Sequence, residues 1–219
     1  MRLILTLKNI YKVYKNKPVL KDCSFSFSKD GVYVLMGPNG SGKSTLLRIA
    51  ALLEQPDKGE VLYQEGERIL SKNLSLKRRI TLLLPEVGVF NSSVFENIAY
   101  GLKIRGLSKK EIRERVEEAL DFVNLLPKKN QDALTLSSGE LKRMGIARAM
   151  VINPEVLFLD EPTAFVDYEN VAVIENILTR LKEKLNTLVI IATHDIELAK
   201  KVGDFLLVLQ EGELKPFNF

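Results

Sequence analysis

The chain has 219 residues, 46% of them hydrophobic, and its 32 lysines and arginines against 28 aspartates and glutamates leave a net charge of +4. That is enough for one large or two small domains with an ample core, and too mild a charge to point to nucleic acid. No apolar run reaches the ~18 residues that cross a bilayer, the opening MRLILTLKNIYK lacks a signal peptide's apolar core and cleavage site, and a single cysteine, Cys23, excludes an internal disulfide or a cysteine-based zinc site, so a cytoplasmic chain is expected.

In chain order, the segments TLKNIYKVY and VLKDCSFSF in the first thirty residues alternate apolar and polar side chains on a period of two. They predict antiparallel strands, a small β layer attached to the main sheet, with Cys23 half-buried as a structural residue. Beyond them, short apolar and β-branched runs at Val32–Met36, Ile80–Leu84, Val156–Leu159, Leu188–Ala192 and Phe205–Leu209 alternate with helical patterns. That alternation predicts an α/β fold with a mostly parallel sheet.

Directly after the first of these runs, and before a helical pattern opening at Leu46, stands GPNGSGKST, from Gly37 to Thr45. A strand that turns through glycines into a helix aims several backbone N–H groups at one point, at the positive end of the helix dipole, where phosphate oxygens accept from them. Gly37, Gly40 and Gly42 let the backbone approach closely, Lys43 reaches the β- and γ-phosphates, and the Ser44 hydroxyl is placed to ligate Mg²⁺ between them. The loop predicts a bound nucleoside triphosphate.

Residues 91–152 carry no strand signal and read as helices. The clearest opens with Ser108 and Glu111 in capping-box spacing and Leu107 and Ile112 in staple spacing, with Ile112, Val116, Ala119, Leu120 and Val123 on one face. The basic stretch from Lys103 to Arg115 is interleaved with glutamates and reads as a solvated helix face. Further on, LSSGE, Leu136 to Glu140, opens an amphipathic helix carrying Leu141, Met144, Ala147 and Val151, with Ser137 or Ser138 as N-cap. A serine and a glycine at a helix start also make a second phosphate site. One nucleotide has no evident need of two, and a second copy of the chain accounts for it.

VLFLDEP, from Val156 to Pro162, is a buried strand ending in two carboxylates. Ligands of open α/β sheets sit beyond the carboxyl ends of the strands, so Asp160 and Glu161 emerge beside the phosphate loop, Asp160 as the Mg²⁺ partner and Glu161 as the base for an attacking water. The single histidine, His194, follows the run LVIIAT on the same edge, where its imidazole can bond the γ-phosphate and the water together.

Taken together these motifs resemble the ATP-binding cassette family, the nucleotide-binding subunits of ABC transporters, over most of the chain from Tyr14 to about Glu213. The resemblance implies a P-loop NTPase (RecA-like) fold: a mostly parallel sheet with an N-terminal antiparallel β layer and an inserted helical subdomain, in one cassette domain 1–219 with core 1–90 and 153–219 and helices at 91–152. It implies an ATP hydrolase in which Gly37, Pro38, Asn39, Gly40, Ser41, Gly42, Lys43, Ser44 and Thr45 bind ATP, Tyr14 stacks on adenine, Ser44 and Asp160 hold Mg²⁺, and Glu161 and His194 are catalytic. Two cassettes meet head to tail in this family, so Ser137, Ser138, Gly139 and Glu140 would face the γ-phosphate of the opposite chain, and Asp167 in AFVD would communicate across the homodimer. Further implied partners are integral membrane permease subunits and an extracytoplasmic solute-binding protein, with no nucleic acid, on the cytoplasmic face of the membrane.

The sequence departs from the family pattern at two places. Ser138 and Glu140 stand where the signature LSGGQ has glycine and glutamine, and Pro85 stands where a glutamine normally follows the strand before the helical block, leaving Glu86 as the neighbouring polar side chain. VFNSSVFENIAYGLKIRG resembles the segment that docks importer membrane subunits, and the SGE signature with DEPTAFVD is similar to cassettes of tungstate and related oxyanion importers. Export and cell-division cassettes share this length and architecture. A soluble ABC ATPase usually carries a long coiled-coil insertion or two fused cassettes, neither of which is present, and a P-loop kinase would need an acceptor site and an arginine-rich lid, a reading the signature segment argues against.

Overall fold

The computed structural model describes residues 3–28, 31–184 and 187–217. Two long strands, β1 (Leu3–Tyr14) and β2 (Lys17–Phe27), pair antiparallel, as their two-residue alternation predicts. As the sequence predicts, they belong to an antiparallel layer beside the parallel sheet, in the order β2-β1-β4-β5, with β4 at Lys58–Glu65 and β5 at Arg68–Ile69. The layer is separate because β1 bonds β2 on one edge and β4 on the other, so neither edge is left for the parallel strands. Both sheets contribute to one apolar cluster, which gathers Leu5, Ile10 and Tyr63 of the first, Leu35, Phe158 and Ile190 of the second, and Leu46, Leu47 and Ile49 of the helix Lys43–Ala50. Cys23 lies in this cluster, fully rather than half buried; its thiol donates to the Gly212 carbonyl, and burial pushes its pKa up to about 11, which suits a structural thiol.

The second sheet contains β3 (Val32–Met36), β6 (Ile80–Leu83), β7 (Val156–Asp160), β8 (Leu188–Thr193), β9 (Phe205–Gln210) and β10 (Glu213–Phe217) in the order β10-β9-β3-β8-β7-β6. All neighbours are parallel except the β9–β10 hairpin. β7 and β8 are buried at every position, which is why they read as continuous apolar runs rather than alternating ones. Helix α1 (Lys43–Ala50) follows β3, and a short α2 (Leu74–Lys77) precedes β6.

After β6 come α3 (Val94–Lys103), α4 (Lys109–Phe122) and α5 (Ser138–Met150), with two 3-10 turns between the last two. The Ser108–Glu111 capping box forms, and Ile112, Val116, Ala119, Leu120 and Val123 are all buried. Leu107 packs against the cluster that contains Ile112, completing the staple. On the outer face Lys110 and Arg113 pair with Glu114 and Glu117 one turn on, the solvated arrangement read from the sequence. Helices α6 (Tyr168–Lys184) and α7 (Ile196–Val202) complete the parallel crossovers. No described helix is long and apolar enough to cross a membrane.

Candidate active site

Three adjacent strands of the parallel sheet, β3, β8 and β7, end together, and each delivers one chemical group. β3 runs into the loop from Gly37 to Gly42 and then into α1, whose first residue is Lys43. The loop geometry excludes larger residues at two points. A Cβ on Gly37 would lie 2.4 Å from the Leu209 carbonyl oxygen. Gly42, the residue that enters the helix, has φ 104°, a left-handed conformation that side chains resist. The Lys43 ammonium is buried and folds back over the loop, donating to the carbonyls of Gly37 (2.7 Å) and Pro38 (3.3 Å).

The last residue of β7 is Asp160, wholly buried, with no hydrogen-bond partner for either carboxylate oxygen. Burial raises its pKa; the Ser44 hydroxyl beside it, which does not meet hydrogen-bond geometry, draws the value back, while the Glu161 carboxylate adds to the rise. A buried carboxylate with two orphaned oxygens next to a hydroxyl is a donor set that fits a hard cation such as Mg²⁺.

The chain turns sharply at Glu161, whose φ is 47°, and its N–H bonds the Ala192 carbonyl of β8 at 2.9 Å. The strained turn swings the carboxylate between two neighbours: Oε1 lies 3.3 Å from Lys43 Nζ and Oε2 3.0 Å from His194 Nδ1. His194 follows β8 and is held by its flanks, since Thr193 Oγ1 accepts from the Asp195 N–H and the Asp195 carboxylate caps α7. Lys43, Glu161 and His194 therefore meet at one point although Lys43 and Glu161 stand 118 positions apart in sequence.

The other candidate residues lie in two places. Tyr14, at the end of β1, bonds Glu54 through its hydroxyl with Lys12 over its ring, and the residue stays 40% exposed; burial raises its pKa, with Thr45 of the loop close enough to oppose the rise. Ser137 to Glu140 form the start of α5: Ser137 is the N-cap, and Glu140 closes a capping box back onto it, so the glutamate of this signature has a defined structural bond. Gly139 is buried against α6, where an added Cβ would lie 2.4 Å from Asn170 Cγ and 2.5 Å from its Cβ. Asn170 is fixed in turn by Asp167, which accepts from its backbone and side-chain N–H groups. Within one chain, Ser137 to Glu140 thus join Asp167 rather than the Lys43–Glu161–His194 cluster.

Sequence reasoning missed two residues of this neighbourhood. Asn170 gives no signal, because its role depends on the approach of α5 to α6. Lys142 gives a faint one: it shares the buried face of α5 with Gly139, Gly145 and Ile146, at spacings of three and four. Glu86, by contrast, is exposed.

A glycine-rich turn between a parallel strand and a helix, answered by carboxylates and an imidazole from the two neighbouring strands, is the arrangement of a P-loop nucleoside triphosphatase. The family model for ABC transporters matches residues 20–164, about two thirds of the chain. Among solved structures, CbiO1 from Clostridium perfringens, part of the ABC transporter complex CbiONQ, is 30% identical with a TM-score of 0.85, over 98% of this chain and 88% of that one. The bacterial ABC transporter cassette MJ0796, in a dimeric structure, is 27% identical with a TM-score of 0.84, over 98% and 99%. A dimeric post-hydrolysis state of MJ0796 bound to ADP and Pi matches at 28% identity, with the same TM-score and coverage. The chain belongs to the ABC transporter family, as an ATP-binding cassette with the fold of its P-loop ATPases.

Proposed function

We propose that the chain is the nucleotide-binding subunit of a transporter, in which two copies close head to tail on two ATP molecules and reopen after hydrolysis. The observation that carries this reading is the Lys43–Glu161–His194 cluster beside the phosphate loop. In this reading the loop from Gly37 to Thr45 wraps the phosphates and Tyr14 stacks on adenine. Lys43 exchanges its bonds to Glu161 and the loop carbonyls for phosphate oxygens, which frees Glu161 to take a proton from the attacking water while His194 bonds that water and the γ-phosphate. The water oxygen bonds to the γ-phosphorus as the bond to the bridging oxygen breaks, giving ADP and phosphate. Ser44 and Asp160 would hold Mg²⁺, which would supply positive charge against that of the phosphates.

The start of α5 supports the dimeric part of the reading: Ser137 and Ser138 are exposed there, apart from the Lys43–Glu161–His194 cluster, and in a closed dimer they, with Gly139 and Glu140, would meet a partner's γ-phosphate, with Asp167 and Asn170 behind Gly139. The dimeric MJ0796 structures and the place of CbiO1 in a transporter complex support a homodimer seated on permease subunits at the cytoplasmic membrane face. The exposed pair Phe90 and Tyr100, with ring centroids 4.7 Å apart, and exposed Ile104 offer an apolar docking patch for those subunits. The cassette comprises a core of 1–90 and 153–219 and a helical subdomain of 91–152. The similarity of its SGE and DEPTAFVD motifs to oxyanion importers makes tungstate, delivered by an extracytoplasmic binding protein, the solute to test first.

With MgATP, Glu161→Gln is expected to shift from monomer to dimer in light scattering; a monomer at every concentration would sink the sandwich mechanism. Lys43→Ala is expected to lose ATP binding. Detergent extracts should yield a polytopic permease with the tagged chain, whereas ribosomal or coiled-coil partners alone would overturn the transport assignment.

A further inference from the structure

A buried cation in α5 belongs to none of the roles above. The Lys142 side chain is 3% exposed, and its ammonium donates to two carbonyls outside its own helix: that of Pro85, in the loop after β6, and that of Glu161, at 3.4 Å. The Glu161 carbonyl accepts a second bond, from the Ala164 N–H at 3.1 Å, so Lys142 and the turn together fix the peptide that carries the catalytic carboxylate. Burial lowers the Lys142 pKa, and the negative charges of Asp160 and Glu161 act against that shift. A cavity of about 230 Å³ adjoins the same three segments, lined among others by Pro85, Glu86, Ser138, Lys142 and Phe165. Helix α5 begins with Ser137 to Glu140, and one buried ammonium thus links that helix, the loop of Pro85 and the turn of Glu161.

We propose that Lys142 is a positioning residue for hydrolysis: by bonding the Pro85 and Glu161 carbonyls, it makes the placement of the Glu161 carboxylate depend on the placement of the signature helix. Pro85 has no side-chain donor or acceptor, but its carbonyl is available, and Lys142 supplies through the backbone the connection that no side chain at position 85 makes. The lysine touches no nucleotide; it acts through Glu161. The inference rests on the reading of Glu161 as the base.

The test is steady-state ATPase kinetics with nucleotide binding on the full chain. Lys142→Met, which keeps the length and removes the donor, is expected to lower kcat about 30-fold while KM and the Kd for MgATP stay within about 3-fold, since a small misplacement of a catalytic group costs turnover rather than binding. Lys142→Gln, which restores an N–H donor, is expected to recover most of the lost turnover. Native kcat in Lys142→Met overturns the proposal, and so does a glutamine variant no better than methionine. If Lys142→Met does not fold, Lys142→Ala replaces it in the same comparison. A wild-type chain whose turnover is indifferent to Glu161→Gln would instead remove the reading of the base, an outcome separate from the behaviour of position 142.

Discussion

Helices α4 and α5 start alike and end up in different chemistry. Each opens with a serine N-cap and a glutamate three residues on, and in each the two side chains close a capping box, Ser108 with Glu111 and Ser137 with Glu140. At the second helical position the helices part. Lys110 of α4 points into solvent and pairs loosely with Glu114, whereas Gly139 of α5 is pressed against Asn170 with no room for a Cβ. Beyond it, Lys142 is buried where the equivalent Arg113 of α4 lies outside, paired with Glu117. The capping chemistry is therefore local and general; what makes α5 a candidate functional helix is the tertiary approach of α6 and of the Pro85 and Glu161 turns.

Exchanging the second positions should expose this difference most strongly. Gly139→Lys is expected to abolish ATP turnover, by at least about 100-fold, because the new side chain must displace Asn170 and the backbone behind it. The reverse change, Lys110→Gly, is expected to cost about 0.7 kcal/mol of stability in urea unfolding and leave turnover unaltered. Removing each cap comes next: Ser108→Ala and Ser137→Ala should each destabilise by about 1 kcal/mol, and only the second should also lower turnover. Equal kinetic losses from the two alanines would erase the distinction drawn between the helices.

The smallest effect is one of pH. The Ser108 hydroxyl and N–H hold Glu111 below its ordinary value of 4.5. For Glu140 burial pushes upward, but Lys128 and the Ser137 bonds outweigh it and the net shift is also downward. A depressed folded pKa means that each box adds stability above the unfolded value and loses it as pH falls through the folded one. Both boxes should open below pH 4.5, as side-chain carboxyl NMR titration would register, with added salt weakening the Lys128 contribution for Glu140 and the Arg115 contribution for Glu111. Protonation of either glutamate well above pH 4.5 would contradict the bonding described.

Several features were legible without coordinates because they are local. The five parallel strands announce themselves as unbroken apolar runs, the α4 face as a 3.6-residue repeat, and the phosphate loop as glycines in a strand-to-helix turn. The hidden features are those fixed by distant pairing. β4 and β5 carry too little alternation to be read as strands, and β4 forms because β1, about fifty positions earlier, offers it an edge. The same applies at the site, where Asn170 and Lys142 gain their roles from neighbours far along the chain.

The sequence by itself determined that this protein has a P-loop fold and which side chains stand at the ends of its strands, since strand, turn and helix follow from short-range periodicity and glycine placement. Only the tertiary structure decided that β4 and β5 complete the N-terminal sheet, that Glu161 stands between Lys43 and His194, and that one lysine of α5 bonds the turn of Glu161. Strand order and the bend at Glu161 set those distances, and both depend on hydrogen bonds between residues more than thirty positions apart, which no local pattern records.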